Sequence, residues 1–181
     1  MISEMERVTF IGNDIGFIFS SSNEAVKTTD GGNTWFESDL ETGFIFKDEY
    51  FTNQNLGYVC GNRILKTTNG GLNWQMIYNA GSDNVSSIYF TDTQNGVCIT
   101  NSGKILRSSN SGISSYVELY PLTEDFKFGH AISNDLIYAV SSPSNAFFRI
   151  NDKGRDINFI RSISPYSVNP QVLGDSSLFA I

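Results

Sequence analysis

Histidine, proline, cysteine and cationic side chains are scarce in this 181-residue chain. The single histidine, His130, would have to carry a Ser-His-Asp triad alone, and it falls just ahead of the first strand of the fourth unit described below. The two cysteines, Cys60 and Cys98, are too few for a zinc site. Twelve Lys and Arg against nineteen Asp and Glu leave a net charge of −7, with no basic run. That balance excludes nucleic acid, whose affinity rests on cations neutralising phosphates. It equally excludes attraction to an anionic membrane surface. No apolar run approaches the ~20 residues of a membrane span. The first residues, Met1 to Arg7, are acidic and lack the apolar core of a signal peptide. Localisation stays open between the cytoplasm and an exported or viral assembly. No cofactor or metal is expected.

Glycine and aromatics are plentiful instead: 16 Gly, 14 Phe and 8 Tyr. With only four Pro, that mixture suits many short strands joined by tight turns. The order of these residues is more telling. Val26-Lys27-Thr28-Thr29-Asp30-Gly31-Gly32-Asn33-Thr34-Trp35 returns 39 positions later as Leu65-Lys66-Thr67-Thr68-Asn69-Gly70-Gly71-Leu72-Asn73-Trp74. A segment repeated at that period marks one supersecondary unit used several times, each burying its apolar face on the next.

Each unit opens with an apolar run carrying a Phe, followed six positions later by Gly: Phe10 and Gly16, Phe51 and Gly57, Phe90 and Gly96. Turn formers lie between them. A second run follows (Phe17-Ile18-Phe19, Tyr58-Val59-Cys60, Val97-Cys98-Ile99), then a third (Ala25-Val26-Lys27, Ile64-Leu65-Lys66, Ile105-Leu106-Arg107). A hairpin leads to a fourth, near Trp35, Trp74 and Tyr116. Four short strands per ~40 residues without helical periodicity predict an all-β chain, a propeller of four-stranded antiparallel blades. The units span about 6–46, 47–85, 86–126 and 127–165, with a partial fifth over 166–181. The chain is then one propeller domain or a fragment of one, with strand one innermost. The ring is not closed by this chain alone, and an exposed sheet edge invites a partner chain or a second copy. In the repeat alignment Cys98 matches Val59 and Cys60 matches Ile99. Side chains alternate faces along a strand, so the offset points the thiols to opposite sides and predicts two buried free cysteines.

Thr28-x-Asp30-x-Gly32-x-Thr34-Trp35 matches the Asp-box pattern at every defined position. Thr67-x-Asn69-x-Gly71-x-Asn73-Trp74 keeps the frame with Asn in two places. Ser108-x-Asn110-x-Gly112 has lost the Trp, and the fourth copy keeps Asp152-x-Gly154. With the flanking strands, these segments resemble the bacterial neuraminidase-repeat propellers, most of all the photosystem II stability/assembly factor-like branch. In such a box the Asp or Asn accepts backbone N–H groups, Gly supplies positive φ, and Trp covers the hairpin. All these box residues are therefore read as structural, with Trp35 and Trp74 as buried equivalents.

The resemblance also raises a sialidase-like activity. Such enzymes use an arginine triad, a Tyr–Glu pair and an acid/base Asp. Arg107 and Arg149 occupy one repeat position together with Lys27 and Lys66, the pattern of a strand residue rather than of converging ligands. No catalytic residue is assigned, and Gly31-Gly32 and Gly70-Gly71 are turn glycines. The expected binding surface carries the loops between strands two and three and those between units. Arg63 and Lys104 are its clearest cations. The resulting expectation is a non-catalytic module for protein or glycan recognition, or a scaffold in a larger phage or cell-surface assembly. A sialidase-like glycan-processing enzyme is the alternative.

Overall fold

A computed structural model describes residues 5–20, 24–112, 116–118, 125–133, 135–142, 144–151, 156–162, 171–173 and 177–179. Asp152 and Gly154 of the fourth box lie outside them, as do residues 21–23, 122–124 and 143 of the proposed loop face.

Four sheets form, each a meander of four antiparallel strands in sequence order. Blade one comprises β1 (Met5–Ile11), β2 (Ile15–Ser20), β3 (Ala25–Thr28) and β4 (Phe36–Glu37). Blade two comprises β5 (Phe46–Phe51), β6 (Gly57–Gly61), β7 (Arg63–Thr67) and β8 (Gln75–Asn79). Blade three holds β9 (Val85–Phe90), β10 (Gly96–Thr100), β11 (Ile105–Ser108) and β12 (Tyr116–Glu118). Blade four holds β13 (Asp125–Ala131), β14 (Ile137–Ser142), β15 (Ala146–Asn151) and β16 (Asp156–Ser162). A last pair, β17 (Gln171–Leu173) and β18 (Ser177–Phe179), stands in the fifth unit. The first strands of successive blades lie against each other, β5 with β9 and β9 with β13.

The six-residue Phe-to-Gly spacing has a packing cause. Phe10, Phe51 and Phe90 stand opposite Gly16, Gly57 and Gly96 in the ladders. Each ring lies over its glycine. A Cβ at Gly16 or Gly96 would come within 2.7 or 2.6 Å of that ring, and one at Gly57 would overlap it. In blade four Ala131 takes the Phe position opposite Ile137, which removes the need for glycine. His130 is thus inside β13, not ahead of it.

Every first strand also slips register once, skipping Glu6, Lys47, Ser86 and Lys127 in turn. A bulge of one residue reverses the side-chain phase. It turns the residue five before the Phe position onto the same face as that Phe. Phe46 and Phe51 accordingly both stack on blade one, on Phe19 and Phe17, at 4.7 Å each. Burying such a ring contributes about 1.5–3 kcal/mol. The core is therefore a series of seams between blades. Blades one and two enclose Phe17, Phe19, Phe46, Val59 and Leu65. Blades two and three enclose Tyr58, Cys60, Val85, Ile88, Phe90 and Cys98. Blades three and four enclose Val97, Ile99, Phe126, Ala131 and Ala139.

The two free cysteines do point to opposite faces of their own sheets. Because they stand on adjacent blades, those faces meet, and both thiols enter the seam between blades two and three. Burial pushes both thiol pKa values up, which leaves them unreactive.

Candidate functional site

Two opposite rims and the inner strands hold the polar groups. The box rim carries the hairpins between strands three and four. The Thr28 hydroxyl accepts the amides of Asp30 and Gly32 at 3.3 and 2.9 Å and donates to Asp30 Oδ1 at 2.8 Å. Asp30 also accepts the Thr34 amide at 2.8 Å and its hydroxyl at 2.6 Å. Hydrogen bonds from Thr34 and Thr28 pull the Asp30 pKa down to about 2. Thr67 with Asn69 and Gly71, and Ser108 with Asn110 and Gly112, repeat the hydroxyl-to-glycine closure. Asn69 Oδ1 accepts the Thr67 hydroxyl at 2.9 Å and the Asn73 amide at 3.0 Å, as Asp30 Oδ1 accepts from Thr28 and Thr34. Gly31, Gly32, Gly70, Gly71 and Gly112 have positive φ, and Ser111 adopts φ 67° in the position of Gly31.

The second and third boxes also dock on the preceding blade. Tyr58 Oη and Lys66 Nζ of blade two donate to the Ser111 carbonyl of blade three at 2.9 and 3.0 Å. Trp74 Nε1 donates to Ser38 Oγ, whose hydroxyl donates to the Gly71 carbonyl. Trp35 instead closes on the Gly32 carbonyl of its own box. Both tryptophans are half-buried, not buried, because each packs edge-on against the Phe of its own first strand at the rim.

The opposite rim carries the turns between strands two and three and the connections between blades. Arg63 Nη1 lies 3.3 Å from Glu41 Oε2 and donates to the Thr42 carbonyl at 3.2 Å. Lys104 Nζ lies 2.9 Å from Asp83 Oδ2. Asn62 side-chain bonds to Ile45 N and the Gly43 carbonyl complete the first clamp, and Ser102 completes the second on Asp83. Burial works against the Asp83 carboxylate, but hydrogen bonds from Ser102 and Lys104 outweigh it and keep its pKa low. Both cations thus tie a turn to the connection entering the same blade. The sequence places Arg63, Lys104 and the interblade segments holding Glu41 and Asp83 on one face; the structure adds their pairing, across about 20 residues in segments without a repeat pattern.

A third cluster, unanticipated in sequence, lies on the inner strands. Arg7 Nη2 donates to Asp48 Oδ1 at 2.9 Å, and Arg7 Nε lies 3.4 Å from Glu49 Oε2. Asp48 Oδ2 accepts the Ile88 amide of blade three. One repeat later, Ser87 Oγ accepts the Gly129 amide of blade four. A polar side chain three before the Phe position thus stitches each inner strand to the next. Glu49 occupies the register of the buried Ile88, so a carboxyl sits in an apolar seam with its side chain 7% exposed. Desolvation raises its pKa to about 7 against the opposing pull of Arg7. On the other face of these strands Tyr50, Tyr89 and His130 form a row, Tyr50 meeting Tyr89 edge-on at 4.9 Å and Tyr89 meeting His130 at a tilt at 5.6 Å. Burial lowers the His130 pKa.

A perturbed carboxyl is a mark of active sites, but only where it faces a cleft. One void, between blades two and three and so in a different seam from Glu49, is about 20 Å³, room for one water, with Ile88, Phe90, Cys98, Leu106, Arg107 and Ser108 among its lining residues. Arg107 is buried in blade three while Arg149 is exposed on blade four. Among the described residues no group of three or more His, Cys, Asp or Glu is placed to hold a metal ion. No helix of the described residues is long and apolar enough to cross a membrane.

Solved structures share this arrangement. One, described as YCF48 bound to D1 peptide, is 21% identical with a TM-score of 0.81, covering 98% of this chain and 61% of its own. YCF48 from Cyanidioschyzon merolae is 19% identical with a TM-score of 0.73, covering 90% and 58%. Virginiamycin B lyase from Staphylococcus aureus is 15% identical with a TM-score of 0.78, covering 98% and 63%. At these identities the likeness is one of fold. The chain spans about three-fifths of the length of the two YCF48 structures. A search of curated proteins found no match in sequence. The sequence profile described as "Photosynthesis system II assembly factor YCF48" matches residues 2–157, so the chain belongs to that family of Asp-box propellers.

Proposed function

We propose that this chain is a non-catalytic protein-recognition module that binds an extended segment of a partner protein on the rim bearing Arg63 and Lys104. Membership of an assembly-factor family carries the reading, supported by a relative of the same fold that is described as bound to a peptide. The Arg63 and Lys104 ion pairs are partly exposed. Exposed pairs contribute only about 0–1 kcal/mol, so a carboxylate of the partner can replace Glu41 or Asp83 at little cost. A protein or glycan ligand meets the same polar loops, and the protein is favoured by the family. The open edge of the ring is a second contact, for a partner chain or a second copy within a larger assembly.

The test is binding of fluorescent peptides, the D1 peptide among them, to the wild-type chain and to Arg63→Ala/Lys104→Ala. Peptide binding that weakens at least several-fold in the double variant, with unchanged melting, is the expected result. Binding to a glycan array with none to peptides would reject the protein reading. Turnover of a fluorogenic sialoside would reject the non-catalytic one.

A further inference from the structure

The seam between blades one and two is built differently from the other two at its inner end. Strand β5 lies against β9, and β9 against β13. Among the described residues β1 makes no comparable approach to β5. The bond that stitches the other inner strands is missing there as well. Asp48 Oδ2 accepts the Ile88 amide, and Ser87 Oγ accepts the Gly129 amide. Arg7 holds the same register position in β1, but a guanidinium only donates. The Glu49 amide, in the register of those two amides, turns instead to the Asp48 carboxyl of its own strand. What spans the gap is the half-exposed Arg7 side chain, paired with Asp48 and Glu49. Pairs exposed in this way contribute little to holding two sheets together.

Glu49 itself faces into this seam. It stands opposite Val59 in the ladder, and Val59 is fully buried in a cluster with Phe17, Phe19, Phe46 and Leu65. Glu49 Oε2 is buried and accepts no hydrogen bond. The charged and titratable groups around the carboxyl are Arg7 of β1, Asp48 beside it in β5 and the buried thiol of Cys60 in β6, and the Thr9 hydroxyl of β1 bonds to it. Burial, helped by Asp48, outweighs Arg7 and Thr9 and drives the pKa up to about 7. At its outer end the same seam is tied by groups that do not titrate: Ser38 Oγ donates to the Gly71 carbonyl, and Trp74 Nε1 donates to Ser38 Oγ.

We infer that the inner half of the seam between blades one and two is a proton-controlled hinge, shut while Glu49 carries its proton and opening ahead of the rest of the propeller once Glu49 ionises. A carboxylate left in the closed seam has lost its water and gains only Arg7, whereas opening restores its hydration. The closed seam holds the proton more tightly than the open one. Closure is therefore fully favoured below about pH 4.5 and weakens as the pH rises through about 7. The other seams carry Ile88 and Gly129 in this register and have no such group. The inference is independent of peptide recognition.

The native thiols supply the control for the test. Cys60 and Cys98 lie in the seam between blades two and three and report its opening. Val59→Cys adds a thiol to the seam between blades one and two. Each thiol is alkylated with iodoacetamide under native conditions, and its rate is read by peptide mass spectrometry. The rate of the added thiol is divided by those of Cys60 and Cys98, in the Val59→Cys protein and in Val59→Cys/Glu49→Gln. At pH 8 this ratio should be at least about tenfold higher with Glu49 than with Gln, and at pH 5 the two proteins should agree. Equal ratios in the two proteins at pH 8 overturn the inference. So does a rise shared by all three thiols, which is unfolding of the whole molecule and not of one seam. Leu65→Cys, in the same buried cluster, is judged by the same ratios if Val59→Cys does not fold.

Discussion

Replacing Glu49 with Gln should flatten the pH dependence of stability. Glu49 stands in a seam position that is Ile88 one repeat later, and burial raises its pKa from the ordinary 4.5 to about 7. The native state therefore holds this proton more tightly than the unfolded chain does. Its contribution to stability is fully present below about pH 4.5 and is lost as the pH rises through about 7. At about 1.4 kcal/mol for each pH unit between the two values, the loss is about 3 kcal/mol. Arg7 works the other way, since its charge favours the ionised carboxyl at 3.4 Å. Arg7→Met should consequently push the transition to still higher pH. Denaturant melts at pH 5 and pH 8 measure the effect. Wild type should lose about 2.5 kcal/mol more than Glu49→Gln over that interval, the difference cancelling the titration of the groups the two proteins share. Parallel profiles for the two proteins would refute a buried, protonatable Glu49. Glu49→Ile should be as stable as wild type or more so at pH 8, because an apolar residue restores the seam that a charge interrupts.

Three further outcomes follow from the boxes. Trp74→Ala should cost about 2–3 kcal/mol, below the cost of truncating a fully buried ring, because the indole is half-exposed; equilibrium unfolding measures it. Gly71→Ala should destabilise by more than about 2 kcal/mol, since Gly71 has φ 80° and its Cβ would come within 2.5 Å of Phe17; a variant that melts like wild type would reject that packing. Asp30→Asn should lose the Thr34 hydroxyl bond and, with it, stability that in wild type is present above about pH 3.8 and lost as the pH falls through about 2; the acid limbs of the two melts should converge there.

The architecture was legible because the repeat constrains every blade in the same way. A Phe over a Gly, a hydroxyl closing a glycine turn and three apolar runs recur in register, and each copy confirms the others. The bulge was harder to see. Phe46 and Phe51, or Val85 and Phe90, are five apart, and strict alternation puts such pairs on opposite faces. That two apolar residues at odd spacing recur in every unit was the available sign of an extra residue between them. The thiols show the same limit at larger scale. A rule about one sheet placed Cys60 and Cys98 apart correctly, yet the partner of each face is the next sheet, where they meet.

Glu49 could have been found by comparing units column by column, because a carboxylate in the column of Val8, Ile88 and Gly129 is out of character. Along the chain it is one of 19 acidic residues and stands out only down the repeat. The loop rim resists even that comparison. Arg63 pairs with Glu41 and Lys104 with Asp83, the same idea in two blades, yet the cations differ in position and the connections differ in length. A seam must match its neighbour and so imposes a common pattern, whereas a rim faces solvent or a partner and is free to diverge. The rim proposed for recognition is for that reason the part in which the repeat is silent. The residues that break the repeat inside the seams, Glu49 among them, are where this propeller differs physically from one built of identical blades.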